Sequence, residues 1–339
     1  MKKLFVTGAL SLSVLFTLPA SAQLKINAAG ATFPAPIYQQ WFGEYKTKSK
    51  VEINYQAIGS GGGRKQLLEG TVDFGASDKP MSDDELNSEN GKKVKPLHFP
   101  TVLGGVVITY NVTGVTGPLK LTGPVLADIY LGSIKKWNDA KIAGINAGVK
   151  LPDAPIVVVH RSDASGTSFV FTDYLAQVSA DWKSKVGAND QVSWPAGLGA
   201  KGSDGVAGLV KQTPNSIGYV ELLFAVQNKM AFADMQNAAG KFVIATFASV
   251  TAAAAASKGL AADFRGSIVN APGAGSYPIS TYTWMLIPSK IADPAKKKAI
   301  VEFLKWMVTE GQKEAQGLSY APLPKGVVTL EMKQIAAIQ

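Results

Sequence analysis

Residues 156–168 read IVVVHRSDASGTS, and this stretch indicates how the chain is built. Its first four residues are an apolar, β-branched run of the kind that forms a buried strand. Residues 169–178 then place apolar side chains at helical spacing. Residues 161–168 are therefore a strand-to-helix junction with a glycine, several hydroxyl groups, one arginine and one aspartate. Free backbone N–H groups and the positive end of a helix suit such a junction to hold a small oxyanion.

The order of strand, small-residue loop and helix also recurs in the first part of the chain. A strand predicted at residues 24–28 precedes an amphipathic helix, and a strand of period two at residues 51–57 runs into the glycines of residues 59–63. A further strand at residues 72–78 ends in a polar tip. This order predicts an α/β protein with a mostly parallel sheet, which binds ligands at the carboxyl ends of its strands.

The later part of the chain adds long apolar strands. They are predicted at residues 103–111 and 279–287, and the alanine-rich residues 248–264 are predicted as a helix. A final amphipathic helix begins at Pro294, and Gly311 is placed to end it. No linker rich in proline or serine divides the chain. Two domains would therefore be joined by strands that cross between them, and the strands near Val106 and Thr283 are the candidates.

Composition restricts the class of protein. The 339 residues suffice for two domains, and 46% hydrophobic with 17% charged residues is typical of a globular chain. The absence of cysteine excludes disulfides, thiolate metal sites and thiol catalysis. The formal charge is +9, but the lysines are spread along the chain without an aromatic-interleaved basic stripe. We therefore expect a surface that favours anions and no nucleic-acid interface.

The N-terminus has the pattern of an export signal. Lys2 and Lys3 precede the apolar residues 4–18, and residues 20–22 (ASA) form a small-residue cleavage site. The apolar run is too short, and too mixed with Gly, Ser and Thr, for a convincing membrane anchor. We predict a signal peptide at residues 1–22 that is cleaved, which leaves a protein exported to a bacterial periplasm.

Three junctions share the chemistry of the opening stretch. Residues 31–33 (ATF), 60–63 (SGGG) and 165–167 (SGT) each place a hydroxyl group where a strand gives way to a helix. Any one of them alone is more simply explained as a helix cap or a turn. Three together, with Arg161 and Asp78 beside them, favour an anion site.

Arg161 and Asp78 have distinct predicted roles. Arg161 offers a fork of donors that suits a tetrahedral oxyanion, and Asp163 is placed to hold its guanidinium. A carboxylate such as Asp78 belongs in an anion site only when the anion has a proton to donate. Phosphate has one and sulfate at neutral pH has none, so Asp78 would admit phosphate and reject sulfate. A helix-capping role for Asp78 remains the competing interpretation.

Enzymatic sites find little support. His98 and His160 are the only histidines, and neither has the spacing of a metal site or a catalytic triad. Ser165 is not in a nucleophile elbow, because Asp163 stands where that motif has glycine. The glycine loop at residues 59–65 lacks the Gly-Lys-Ser/Thr ending of a nucleotide phosphate loop. We therefore predict a binding protein without enzymatic activity, metal or cofactor.

Several ordered motifs extend over nearly the whole chain after residue 22. They are residues 30–36 (GATFPAP), 59–62 (GSGG), 72–78 (VDFGASD), 128–132 (DIYLG), 136–138 (KWN), 161–168 (RSDASGTS), 197–199 (GLG) and 217–221 (IGYVE). Together these motifs resemble the periplasmic phosphate-binding proteins of high-affinity phosphate ABC transporters.

This resemblance implies a type II periplasmic binding fold with two α/β domains and a ligand cleft between them. We place domain I at residues 23–106 and 284–339, and domain II at residues 107–283. The implied partners are inorganic phosphate and the membrane permease and ATPase of the transporter, with the binding protein itself a monomer. Carried over by motif, the phosphate-binding residues are Thr32, Phe33, Ser60, Asp78, Arg161, Ser165, Gly166 and Thr167, supported by Asp163.

Two features depart from the family pattern. His160 stands where the family often has a second basic residue, and we expect it outside the ligand shell. Residues 234–275 show little family pattern, so the resemblance assigns them no role.

The alternative functions are a binding protein for another oxyanion, an exported phosphatase and a phosphate-scavenging protein without a permease.

Overall fold

The computed structural model describes residues 23–115 and 117–339, so the predicted signal peptide lies outside the described residues. Strands and helices alternate through most of the chain. The strands are β1 (Lys25–Gly30), β2 (Glu52–Ala57), β3 (Phe74–Ser77), β4 (Pro96–Asn111), β5 (Lys120–Leu121), β6 (Val157–Arg161), β7 (Leu198–Ala200), β8 (Ser216–Glu221), β9 (Ala231–Phe232), β10 (Asp234–Gln236), β11 (Phe242–Val243) and β12 (Ser280–Pro288).

Helices flank these strands. They are α1 (Ala35–Ser49), α2 (Ser60–Glu69), α3 (Asp83–Asn87), α4 (Glu89–Val94), α5 (Gly123–Tyr130), α6 (Ala140–Ile145), α7 (Gly166–Val178), α8 (Ala180–Lys185), α9 (Gly202–Gln212), α10 (Leu222–Gln227), α11 (Phe247–Ala256), α12 (Pro294–Thr309) and α13 (Lys325–Ala336), with 3₁₀ turns at Gly311–Glu314 and Gln316–Leu318. Within the described ranges no helix is both long and apolar enough to cross a membrane.

One mixed sheet of nine strands runs through the molecule in the order β2-β1-β3-β12-β4-β8-β6-β7, with β9 paired to β4. Strands β2, β1 and β3 are parallel to one another, and so are β8, β6 and β7. The two central strands β12 and β4 are antiparallel to their neighbours. The predicted α/β class with sheets flanked by helices is confirmed, and a small sheet of β11, β10 and β5 lies apart.

Strand β4 belongs to both ends of this sheet. Its residues 96–105 pair with β12, whereas residues 106–111 pair with β8. We call β1, β2, β3, β12 and the elements packed on them the first half, and β6, β7, β8, β9 and their helices the second half. Strand β12 has a register irregularity between Thr283 and Trp284. Strand β4 thus changes its pairing partner between Gly105 and Val106, whereas β12 stays paired with β4 throughout, and the domain boundaries predicted at residues 106 and 283 remain predictions.

The first half is held by an aromatic core. Helix α1 buries Ile37, Trp41 and Tyr45, the face that the sequence pattern predicts. Trp41 also donates its indole N–H to the carbonyl of Gly311 at 2.7 Å. Burial of such large side chains is a main source of folding free energy, and these residues belong to a continuous hydrophobic core that extends into the second half.

Two helix predictions need correction. The alanine-rich helix α11 ends at Ala256 rather than near residue 264. The Ser257 hydroxyl accepts a hydrogen bond from the N–H of Gly259, whose φ is +82°, and this turn overrides the helical preference of alanine. The helix at Pro294 is also not the last one, because Pro324 introduces α13.

Candidate functional site

The three predicted junctions meet at one place between the two halves. Gly166 is the first residue of α7, and a Cβ placed on it would lie 2.5 Å from the Ser60 hydroxyl and 2.6 Å from Cβ of Asp78. Gly61 donates its backbone N–H to the carbonyl of Ala164 at 2.9 Å. The N-termini of α2 and α7 therefore approach each other closely, and glycine is needed at the contact.

Asp78 lies at the centre of this contact, directly after β3. Its carboxylate accepts hydrogen bonds from Thr283 at 2.8 Å and Ser60 at 3.3 Å, and only 2% of the residue is exposed. Burial raises the pKa of Asp78 to about 7, against the opposing effects of the Thr283 hydrogen bond and the charge of Arg161. The carboxyl group is thus poised between its neutral and charged forms near neutral pH.

Arg161 ends β6 on the opposite side and is also buried. Its Nε and Nη2 atoms donate to the two carboxylate oxygens of Asp163 at 2.7 and 2.5 Å. Burial opposes ionisation of Asp163, but the hydrogen bonds from Arg161 hold its pKa below the ordinary value. Gly202 donates a further backbone hydrogen bond to Asp163 at 3.1 Å. Asp163 therefore holds the guanidinium in one orientation through a bidentate pair.

The start of α7 supplies hydroxyl and backbone donors. Ser165 caps the helix, and its hydroxyl accepts the N–H of Ser168 at 3.1 Å. Thr167 is buried, and within the described chain its hydroxyl has no hydrogen-bond partner. The first N–H groups of a helix also lack partners within that helix. Buried polar groups normally have partners, so an unpaired hydroxyl at this helix end points to a ligand.

Thr32 and Phe33 lie on the first-half side, in the loop after β1. The Thr32 hydroxyl is 2.9 Å from that of Ser203, across the contact between the halves. Phe33 is fully buried, and its carbonyl accepts a hydrogen bond from Tyr320 at 2.6 Å. This bond fixes the backbone at Phe33, one of the phosphate-binding residues that the resemblance implies.

Thr283 and Ser203 were not predicted as part of the site. Ser203 had a usable signal, because residues 201–205 (KGSDG) repeat the small-residue start of a helix. Thr283 had none, since its bond to Asp78 joins residues 205 positions apart.

Among the described residues, neither histidine is hydrogen-bonded to the carboxylate of Asp78 or the guanidinium of Arg161, although Nδ1 of His160 lies 3.0 Å from the Arg161 carbonyl. His160 is half-buried and stacks on Trp194 with a centroid separation of 4.7 Å, and burial lowers its pKa. His98 is buried in the first half and accepts the N–H of Met81 at 3.0 Å. No group of three or more His, Asp or Glu side chains in the described ranges is arranged to hold a metal ion.

Comparison with known proteins adds sequence relatives and structural neighbours. Residues 17–310 match the PBP superfamily domain. The phosphate-binding protein PstS of Xylella fastidiosa is 48% identical over 327 residues, which is 95% of this chain and 87% of that protein. PstS of Pasteurella multocida is 45% identical over 92% of this chain and 90% of its own length.

A solved structure has the same fold. It is a high-affinity periplasmic phosphate-binding protein, PfluDING, bound with phosphate, and it superposes with a TM-score of 0.74. The match spans 91% of this chain and 93% of that one at 22% identity. At this identity the likeness bears on the fold alone, and it agrees with the two-domain binding architecture expected from the sequence.

Proposed function

The chain belongs to the PstS family of phosphate-binding proteins within the PBP superfamily, and on this premise we propose that it binds inorganic phosphate for an ABC transporter. The family consists of binding proteins for transport, which are not enzymes. The observation that carries the proposal is the meeting of Arg161, Asp78 and the N-terminus of α7 in one buried site. Such a site combines attraction for an anion with an acceptor for its proton.

The donors would surround the phosphate from both halves. Ser60, Thr32 and the N–H of Phe33 contribute from the first half. Arg161, the backbone of Gly166 and the groups of Ser165 and Thr167 contribute from the second. The free hydroxyl of Thr167 and the helix N-terminus support this assignment, because both favour a bound oxyanion. Asp163 supports Arg161 and leaves its Nη1 group for the ligand.

Selectivity would come from Asp78. As a carboxylate it accepts the proton that monohydrogen phosphate donates, whereas fully ionised sulfate offers none. Two acceptors facing each other in a buried site lose the hydrogen bonds that both had in water. The burial of Asp78 and its short bond from Thr283, which fixes the carboxylate, support this role.

Binding would also close the cleft. We propose that residues 23–106 with 284–339 form one domain, residues 107–283 the other, and that phosphate stabilises their contact by touching both. The change of β4 from β12 to β8 and the register irregularity at Thr283 support these boundaries, because regular pairing is interrupted at both places. The closed protein, a monomer released into the periplasm by removal of residues 1–22, would then dock on the permease.

Calorimetric titration with phosphate and sulfate tests this function. We expect the protein to bind phosphate in the micromolar range or tighter, with little binding of sulfate. Equal binding of both anions would favour a general oxyanion carrier, and absence of phosphate binding would overturn the proposal. Turnover of a phosphomonoester would instead indicate a phosphatase.

Replacing Asp78 by asparagine tests the selectivity. An amide donates as well as accepts hydrogen bonds, so Asp78→Asn should bind phosphate less well and sulfate better than the parent protein. Asp73→Asn is the matched control, because Asp73 lies at the other end of β3 and pairs with Lys296 at 2.8 Å. An unchanged ratio of sulfate to phosphate affinity in Asp78→Asn would remove Asp78 from the selectivity mechanism.

A further inference from the structure

A second set of contacts joins the halves outside the proposed phosphate residues. Asp190 lies in the loop between α8 and β7 of the second half. It forms ion pairs with Arg64 of α2 and with Lys79 in the loop after β3. Lys79 Nζ lies 3.3 Å from the Asp190 carboxylate and 2.8 Å from the side-chain oxygen of Asn189. Lys79 also lies 5.4 Å from the centre of the Phe169 ring in α7. Two cations of one half therefore converge on one carboxylate of the other.

These charges are withdrawn from solvent where they meet. The side chains of Arg64, Asp190 and Lys79 are 6, 10 and 17% exposed. An ion pair at this depth differs from a surface pair, because each partner has lost much of its hydration and depends on the other. The lowered pKa of Asp190, which Arg64 and Lys79 cause against the effect of burial, is consistent with this dependence.

Each member of the set is attached to a proposed phosphate contact. Arg64 is one helical turn beyond Ser60 in α2, and Lys79 directly follows Asp78. On the other side, the carbonyl of Asp190 accepts the N–H of Ser165 at 2.9 Å. Movement that brings the phosphate residues together therefore also brings the cations to Asp190.

Separation of the halves would affect the partners unequally. Arg64 has neighbours within its own half, since it donates to Glu85 at 2.7 Å and to Ser77 at 3.1 Å. Asp190 receives both of its cations from the other half. The charge of Asp190 is thus neutralised by these pairs only when the halves are in contact.

We propose that Arg64, Lys79 and Asp190 form an ionic latch that stabilises the closed arrangement and so slows the release of phosphate. This inference rests on the proposed phosphate-binding function and adds positioning residues that do not touch the ligand. The latch raises phosphate affinity through the equilibrium between open and closed forms. A ligand that binds the closed form has a higher apparent affinity when that form is more populated.

Asp190→Asn distinguishes the latch from a general effect of charge. Removing a negative charge near an anion site should strengthen phosphate binding if only the electrostatic field matters. The latch predicts the opposite, because closure then buries two cations against a neutral amide. We expect the dissociation constant for phosphate to rise roughly 10- to 100-fold, mainly through a faster dissociation rate.

The experiment measures affinity by calorimetry and dissociation by stopped-flow fluorescence for Asp190→Asn, Lys79→Gln and the double variant. Lys79→Gln removes the more exposed partner and remains informative if Asp190→Asn folds poorly. The dissociation constant of the double variant should lie within about twofold of that of Asp190→Asn, because both changes remove the same interaction between Lys79 and Asp190. Asp153→Asn is the control, because it removes the exposed pair of Asp153 with Lys136 within one half. We expect it to leave affinity unchanged.

Unchanged or stronger phosphate binding by Asp190→Asn would overturn the latch, and so would unchanged binding by Lys79→Gln where Asp190→Asn does not fold. Small-angle scattering distinguishes a wrong latch proposal from a wrong proposal of phosphate binding. If the parent protein bound no phosphate, the function would be wrong. The latch would then still predict a larger radius of gyration for Asp190→Asn than for the parent and for Asp153→Asn, and equal radii would overturn it.

Discussion

At the scale of single residues, Asp78 combines two properties that usually exclude each other. Its burial favours the neutral acid, whereas acceptance of a phosphate proton requires the carboxylate. The hydroxyl groups of Thr283 and Ser60 and the charge of Arg161 offset part of the desolvation, which leaves the pKa at about 7 rather than higher. In the proposed function this balance would keep Asp78 usable as an acceptor, and burial of the carboxylate would lower the folding stability.

The free energy of unfolding should depend on pH because of the burial of Asp78. The pKa of Asp78 is raised from 3.8 to about 7 on folding, so the folded state holds an extra proton between these values and loses stability as the pH rises through them. In phosphate-free buffer, Asp78→Asn should therefore raise the free energy of unfolding at pH 8 by on the order of a few kcal/mol and change it little at pH 3.5. Urea denaturation at both pH values measures the difference. A variant that is no more stable than the parent at pH 8 would contradict it.

The free hydroxyl of Thr167 leads to a separate prediction. Thr167→Val keeps the shape of the side chain but removes a donor for phosphate, so affinity should fall roughly 10- to 100-fold, as for a hydrogen bond to a charged group. Stability without phosphate should not fall, because the hydroxyl has no partner in the described chain. Calorimetry and thermal melting give the two values.

Thr109→Val provides the matched comparison. The Thr109 hydroxyl is equally buried but donates to the carbonyl of Ala231 at 2.8 Å, far from the site in sequence and on β4. This variant should lose about 1 kcal/mol of stability and keep its affinity. If Thr167→Val behaved in the same way, Thr167 would be a structural residue.

At this scale, the chemistry of individual residues was enough to predict several members of the candidate site. Hydroxyl groups and glycines at strand-to-helix junctions pointed to Ser60, Ser165 and Thr167, and the structure brings these junctions together. Asp190 could not be predicted as a partner of Arg64, because that contact joins residues 126 positions apart. A charged pair in a loop without family motifs has no local pattern, so only the folded chain reveals it.

At the scale of elements, α7 must come close to α2 and β3 for the site to form. Gly166→Ala should prevent this approach, since the added Cβ would lie 2.5 Å from the Ser60 hydroxyl and 2.8 Å from the backbone N of Asp78. Alanine is also the better helix former, so the fold itself should not be weakened. We expect phosphate affinity to fall roughly tenfold or more at unchanged or higher melting temperature.

Gly208→Ala is the control for this element. Gly208 lies inside α9, and a Cβ there would meet no atom within 4 Å. The substitution should add about 1 kcal/mol of stability and leave binding unchanged. Equal affinity of the Gly166 and Gly208 variants would show that α7 does not need its close approach.

Elements were predictable where one local rule dominated. The apolar face of α1 and the proline at the start of α12 both matched the structure. Prediction was wrong where two local signals competed, as in the alanine-rich α11, which a serine–glycine turn ends at Ala256. Helix α13 was missed because its buried residues are only Glu331 and Ile335, too few for a recognisable apolar stripe.

At the scale of the whole molecule, one continuous sheet contributes strands to both halves and also connects them through β4. Its outer strands belong to separate halves, while β4 changes partner between Gly105 and Val106. Val106, which pairs with Glu221 of β8, also donates its N–H to the carbonyl of Ile279 at 2.8 Å, so it contacts the chain on both sides of this point. The proposed closure would use this arrangement by moving the two halves about the point where β4 changes partner.

Hydrogen exchange should separate these two parts of the structure. The N–H of Gly61 bonds to Ala164 across the halves at 2.9 Å, whereas the N–H of Leu103 bonds to Ala321 within the first half at the same distance. Opening would break the first bond and keep the second. Saturating phosphate should therefore slow exchange at Gly61 far more than at Leu103, and small-angle scattering should show a smaller radius of gyration. Protection of Gly61 at an unchanged radius would mean that phosphate enters a site already closed, and the crossing strands would then not act as hinges.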